Sequence, residues 1–102
     1  MKRPEYTVRL LRVAEDDFIE IVSYVSAESP EAAEALAEKI ERNLGLLATN
    51  PSLGRVPEDD ALINLGYRYL VVQNYLIFYV VENRTIFIHR IIHGARDYIG
   101  LF

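Results

Sequence analysis

The chain has 102 residues, the length of one domain (1–102), with half of them hydrophobic (51%) and a quarter charged (25%). That balance excludes a disordered tail or a collagen-like chain. The lack of cysteine excludes a disulfide scaffold, a zinc knuckle and a thiolate nucleophile. The net charge of −4 is unevenly spread: residues 1–50 carry six Lys/Arg against ten Asp/Glu, whereas residues 61–102 carry four Arg against Glu82 and Asp97, together with His89 and His93. The acidic half reads as a solvated helical surface, and the basic end as a face for phosphate, RNA or an acidic partner, or as fold-stabilising ion pairs. No apolar run reaches the roughly 20 residues of a membrane helix, and Met1 to Arg12 has no signal-peptide core, so the expectation is a soluble cytoplasmic protein.

Tyr6 to Leu11 alternates loosely, with Val8, Leu10 and Leu11, and is read as a first strand. From Ala14 the period changes to that of a helix: Phe18, Ile21, Val22 and Val25 form one stripe, with Glu15, Asp16 and Asp17 placed in the first turn, where the helix dipole favours negative charge. Ser29-Pro30-Glu31 restarts the chain, Ser29 as N-cap and Pro30 at a position that needs no donor. A second helix follows to about Ala48, with Ala33, Leu36, Ala37, Ile40, Leu44 and Leu47 on one face, and Asn50-Pro51 ends it. The short link makes the two helices an antiparallel hairpin.

Asn50 to Leu65 is irregular, with room for a short helical turn. Three strand-like runs come next: Tyr67 to Val72, Tyr75 to Val81 and Thr85 to Ile92. Gln73-Asn74 reads as a two-residue hairpin with Asn74 taking the positive φ, and Glu82-Asn83-Arg84 as the next turn. His93-Gly94-Ala95-Arg96-Asp97 leaves the last strand, and an apolar tail follows. The fold class expected is α+β, an N-terminal strand and helical hairpin packed on an antiparallel sheet with a C-terminal three-strand meander.

The sequence holds no Gly-rich phosphate loop, no HExxH and no nucleophile elbow, and no histidine adjoins Ser23, Ser26, Ser29 or Ser52. The cluster with chemical promise is Gly66-Tyr67-Arg68 with Arg90, His93 and Arg96, which a meander could bring to one face or end of the sheet. Guanidinium pairs with phosphate and an aromatic ring stacks a base. Each residue also has an ordinary reading. Arg90 shares strand parity with Ile86, Ile88 and Ile92, as a buried arginine paired to a helix carboxylate would. Arg96 and Asp97 can cap or pair locally, and His93 beside Gly94 can fix a strand-end turn.

Asn50-Pro51-Ser52-Leu53-Gly54-Arg55, Gly66-Tyr67-Arg68-Tyr69-Leu70-Val71-Val72, Tyr75-Leu76-Ile77-Phe78-Tyr79-Val80-Val81 and His89-Arg90-Ile91-Ile92-His93-Gly94-Ala95-Arg96-Asp97, in this order, resemble the RelE/ParE superfamily, the toxins of type II toxin–antitoxin modules. The first helix (Ala14, Asp17, Phe18, Ile21, Tyr24) and the Ser29-Pro30 restart fit as well, so the resemblance covers nearly the whole chain. It implies a cognate antitoxin as partner, either a heterodimer or a heterotetramer with it, and no metal or organic cofactor. The ParE-like branch implies DNA gyrase as target, contacted through Arg68, Arg90, His93 and Arg96. The RelE-like branch implies a ribosome-dependent endonuclease acting on ribosome-bound mRNA through Arg68, His93 and Arg96. A third reading is a member that only binds antitoxin. Against the ribonuclease pattern, Leu70 and Leu76 occupy positions where that branch carries cationic groups. Leucine neither moves a proton nor stabilises a phosphorane, which favours the ParE-like branch.

Overall fold

A computed structural model of the chain describes residues 5–102. A first strand β1 (Thr7–Leu10) leads into helix α1 (Arg12–Glu28), helix α2 (Pro30–Leu47), a short helix α3 (Asp60–Asn64), strands β2 (Arg68–Val72), β3 (Tyr75–Glu82) and β4 (Thr85–His93), and a 3₁₀ turn at Ile99–Leu101. Helix α1 starts two residues before the expected Ala14 and has no side-chain cap. The Leu11 N–H still belongs to the sheet, bonding the Ile88 carbonyl, while the Leu11 carbonyl already accepts from Glu15, so strand passes straight into helix. Between α1 and α2 the capping chemistry is as read: Ser29 Oγ accepts from the Ala32 N–H at 3.2 Å, with Pro30 at the first helical position. The anticipated turn in the 50–65 segment is α3, whose N-cap Asp59 accepts from the Leu62 N–H at 3.0 Å.

The sheet order is β1-β4-β3-β2. The meander β2-β3-β4 is antiparallel, and β1 joins it as expected but runs parallel to β4, Thr7 opposite Thr85 through Leu10 opposite Ile88. The long connection through the helical hairpin gives the crossover that a parallel pair requires. In the first hairpin the positive φ falls on Gln73 (52°) and not on Asn74. Asn74 instead offers its carbonyl to the Gly94 N–H at 2.7 Å.

One register shift decides which side chains meet. Tyr79 faces Ile88 and Phe78 faces Arg90, so His89 is an extra residue in β4. The alternation therefore slips by one: Ile86, Ile88 and Ile91 all enter the core under the helices, and Ile92 goes to the other face. The parity that groups Arg90 with Ile92 thus breaks at the bulge. Under the helices, Leu36, Ile40 and Leu47 of α2 pack on Ile77, Tyr79, Ile86, Ile88 and Ile91. Each fully buried aliphatic side chain there stabilises the fold by about 1.5–3 kcal/mol. On the opposite face a smaller cluster of Leu62, Tyr67, Phe78 and Ile92 is roofed by Tyr98 and Leu101.

Candidate functional site

A cleft of about 250 Å³ opens where α1 passes over the ends of β3 and β4, between Ile21 and Tyr24 on the helix and Tyr75, His93 and Arg96 on the sheet side. Asp17, Ile21 and Tyr24 share one helix face by their i, i+4, i+7 spacing. Tyr24 is 74% exposed, a large aromatic ring held in solvent.

The wall of the cleft is fixed by an ion pair. Arg90 Nε donates to Asp17 Oδ2 at 2.8 Å and Arg90 Nη2 to Oδ1 at 3.0 Å, while the Ile91 N–H donates to Oδ2 at 3.0 Å. The two side chains are only 15% and 12% exposed. Donating to the Asp17 carboxylate raises the Arg90 pKa further, against the opposing effect of burial, so the guanidinium stays charged. This is the helix carboxylate partner that the sequence reading allowed for Arg90. A forked pair of this kind sets the distance between α1 and β4 more rigidly than apolar contact does.

The strand exit is built by backbone geometry. The Gly94 N–H bonds Asn74, and a Cβ at Gly94 would lie 3.3 Å from the Asn74 oxygen, so a side chain there crowds the turn. The Ala95 N–H donates to His93 Nδ1 at 3.1 Å and the Arg96 N–H to the His93 carbonyl at 3.0 Å. His93 therefore does fix the strand-end turn. With Nδ1 accepting, the ring nitrogen that carries the proton is Nε2, and His93 lines the cleft. The ring stands edge-on to Tyr75, centroids 5.4 Å apart. Arg96 is exposed and makes no ion pair among the described residues.

Arg68 is elsewhere. It faces Tyr79 across the hairpin, at the far end from Tyr75, and Arg68 Nη1 donates to the Gly54 carbonyl at 3.0 Å and the Ser52 carbonyl at 3.5 Å. Beside it Tyr79 Oη accepts from the Gly54 N–H and donates to the Pro51 carbonyl, both at 2.8 Å. Burial raises the Tyr79 pKa, with the Gly54 N–H and Arg68 opposing, so the phenol keeps its proton. A Cβ at Gly54 would sit 2.7 Å from the Tyr79 ring, so only glycine fits. Together Arg68 and Tyr79 clamp the loop 51–55.

Tyr67 lies on the opposite face, its hydroxyl 2.8 Å from His89 Nδ1. Burial lowers the His89 pKa, with the Glu82 carboxylate only partly offsetting it. Of the expected cluster, then, the structure brings together His93 and Arg96, sets Arg90 into the adjoining wall, and places Gly66-Tyr67-Arg68 apart. The cleft's aromatic and acidic side was absent from the expected set. The helical spacing of Asp17, Ile21 and Tyr24 was the available signal for it. Among the described residues no group of His, Asp and Glu is arranged to hold a metal ion, and no helix is long and apolar enough to cross a membrane.

The family model described as ParE toxin of type II toxin–antitoxin system, parDE, matches residues 8–98. Among solved structures, the chromosomal ParDE toxin–antitoxin system from P. aeruginosa contains a similar chain: 25% identical, covering 86% of this chain and 95% of that one, with a TM-score of 0.70. The toxin–antitoxin complex RelBE2 from Mycobacterium tuberculosis contains another, 22% identical over 93% of this chain and 98% of that one, with a TM-score of 0.63; it shows the same fold. A search of curated protein sequences finds no match.

Proposed function

Because the chain belongs to the ParE toxin family of type II toxin–antitoxin systems, we propose that it acts by contact, binding DNA gyrase and holding it on cleaved DNA, and that a cognate antitoxin neutralises it. The observation that carries this reading is the setting of the positions a ribonuclease of the superfamily would need to be cationic. Leu70 is 6% exposed in the core beneath the helices, and Leu76 packs against the second cluster on the other face. A lysine or arginine at position 70 would have to leave the core to reach a phosphate, and the half-buried Leu76 offers neither a proton nor a positive charge.

The remaining ribonuclease candidates do not form a site either. Arg68 is committed to two loop carbonyls at the other end of the hairpin from His93 and Arg96. His93 Nδ1 accepts from the Ala95 N–H, which leaves the proton on Nε2, a donor where a 2′-hydroxyl would need a base. A donor pair of His93 Nε2–H and Arg96 guanidinium, beside the rings of Tyr24 and Tyr75, suits anionic groups on the gyrase–DNA complex. No bond in the target is made or broken by this chain.

For the antitoxin, the support is the ParDE system in which the similar P. aeruginosa chain is found, together with the exposed apolar surface of the cleft, notably Tyr24. A stable complex of this kind buries about 1,600 Å² in total. Two assays test the reading. Purified protein incubated with gyrase and supercoiled plasmid is expected to raise gyrase-linked cleaved DNA, and added to a translating extract to leave mRNA intact. Codon-specific mRNA cuts lost on His93→Ala, with gyrase unaffected, overturn it. If gyrase and mRNA are both unaffected while a small protein encoded by the adjacent gene co-purifies on co-expression, the chain is an antitoxin-binding member without toxicity.

A further inference from the structure

The segment that carries Arg96 is exposed from His93 to Asp97, yet the amide donors of Gly94, Ala95 and Arg96 all have acceptors. The Gly94 N–H donates to the Asn74 carbonyl at 2.7 Å, the Ala95 N–H to His93 Nδ1 at 3.1 Å and the Arg96 N–H to the His93 carbonyl at 3.0 Å. The last two bonds close residues 93–96 upon themselves and move with them. Of the three, only the Gly94 bond reaches another part of the chain. It continues the β3–β4 pairing one step past its last pair, Tyr75 with His93, into the turn between β2 and β3.

The direction of that carbonyl is set by a strained residue. Gln73 holds φ at 52°, in the left-handed region. It stands at the first central position of a two-residue hairpin, where a positive φ ordinarily goes with glycine. Asn74 is of a residue type that tolerates this region well, and it stands next door without taking it. Gln73 is exposed, so what it contributes is its backbone conformation rather than a buried side chain. Strain of this kind persists where the surroundings over-determine it, and it clusters at functional sites. Here the β2–β3 ladder holds the turn on one side and the Gly94 N–H on the other.

We propose that Gln73 is a positioning residue for the contact face. Its left-handed backbone aims the Asn74 carbonyl at Gly94, and that one bond fixes the 93–96 turn, so that His93 and Arg96 meet the target at a set spacing. The inference rests on the reading of those two side chains as contact groups. Ordering a mobile loop at an interface costs affinity, and a turn held beforehand avoids that cost. Loss of the bond frees the turn and leaves the core beneath the helices as it is, so target contact weakens without loss of fold.

The test reads the turn and the target separately, on the full chain. Amide exchange is expected to find Gly94, Ala95 and Arg96 protected together. Gln73→Val sets a β-branched residue where φ is positive. It should speed exchange at all three by about tenfold, the scale of one ordinary hydrogen bond, with the core strand amides unchanged. Gln73→Gly reaches the same conformation freely and should keep all three protected. With gyrase and plasmid, at equal concentrations of folded protein, Gln73→Val should raise the concentration for half-maximal cleaved DNA about tenfold without lowering the maximum. Gln73→Gly should match the natural chain. If Gln73→Val fails to fold, Gly94→Ala takes its place with the same expectations, since its Cβ crowds the Asn74 oxygen at 3.3 Å. Unchanged exchange at Ala95 and Arg96, an unchanged half-maximal concentration, or an equal loss in Gln73→Gly overturns the proposal. A natural chain that leaves gyrase intact defeats the proposed target, and the exchange result alone then upholds or overturns the positioning role.

Discussion

Arg90 and Arg68 are both strand arginines in an acidic protein, yet they sit at different ends of the sheet and are held by different means. Arg90 meets a carboxylate, Asp17, and the pair ties α1 to β4 at the wall of the cleft. Arg68 meets carbonyl oxygens of Gly54 and Ser52 and, with Tyr79, fastens a loop to the sheet edge. The first is an ion pair largely withdrawn from water, and the second a set of neutral acceptors partly open to it. In neither case is the guanidinium free for a partner, whereas His93, the last residue of β4, and Arg96 just beyond it line the cleft. Arg68 and Arg90 are spent on the architecture of the fold, and Arg96, beyond the last strand, is left for contact.

The contrast is broken most forcefully at Asp17. Asp17→Ala strands the Arg90 charge in a largely buried place and leaves the Ile91 N–H without its acceptor. Loss of one partner of such a pair costs about 3 kcal/mol or more. A large fall in the urea midpoint is expected, and an unchanged midpoint shows that the pair does not hold α1 to the sheet. At the other end, Tyr79→Phe removes the acceptor of the buried Gly54 N–H as well as the bond to Pro51, at about 1–3 kcal/mol, and Arg68→Ala costs about 1 kcal/mol. Thermal melts of the two variants rank them, and a larger loss for Arg68→Ala than for Tyr79→Phe contradicts the clamp as described.

These contrasts bear on what the sequence makes legible. The helical hairpin is readable because capping is local: Ser29, Pro30 and a 3.6-residue stripe suffice. The meander is readable because β-branched runs alternate with turn residues. The parallel placement of β1 is not, since it depends on residues nearly eighty positions away, Thr7 meeting Thr85. The His89 bulge is hidden for the same reason: an extra residue exists only relative to the partner strand. It defeats the parity argument at Ile92, and it fixes that Tyr67 bonds His89 on one face while Arg90 reaches Asp17 on the other. The kind of partner Arg90 takes was legible from its burial pattern. Register alone decides that Gly66-Tyr67-Arg68 lies away from His93 and Arg96.

A smaller effect sharpens the account on the opposite face. His89 is held neutral by burial, so its pKa in the fold lies below its ordinary 6.5. The unfolded chain then binds the proton more readily, and stability falls as pH drops from about 6.5 through the lower folded value, and is flat in this respect above. Urea midpoints at pH 7.5 and 5.5 should differ more for the natural chain than for His89→Gln, and equal differences show that another group governs the acid side. Smallest of all on stability is Arg96→Ala, which removes an exposed, unpaired side chain and should change the unfolding free energy by less than about 0.5 kcal/mol.

That last variant carries the central claim. Gyrase-linked cleaved plasmid, measured at equal concentrations of folded protein, compares Arg96→Ala and Arg68→Ala with the natural chain. The account predicts that Arg96→Ala abolishes or strongly lowers the cleaved product without loss of fold, and that Arg68→Ala leaves the product per folded molecule unchanged. Full activity of Arg96→Ala, with activity lost in a folded Arg68→Ala, would place the contact surface at the loop end of the sheet and contradict it.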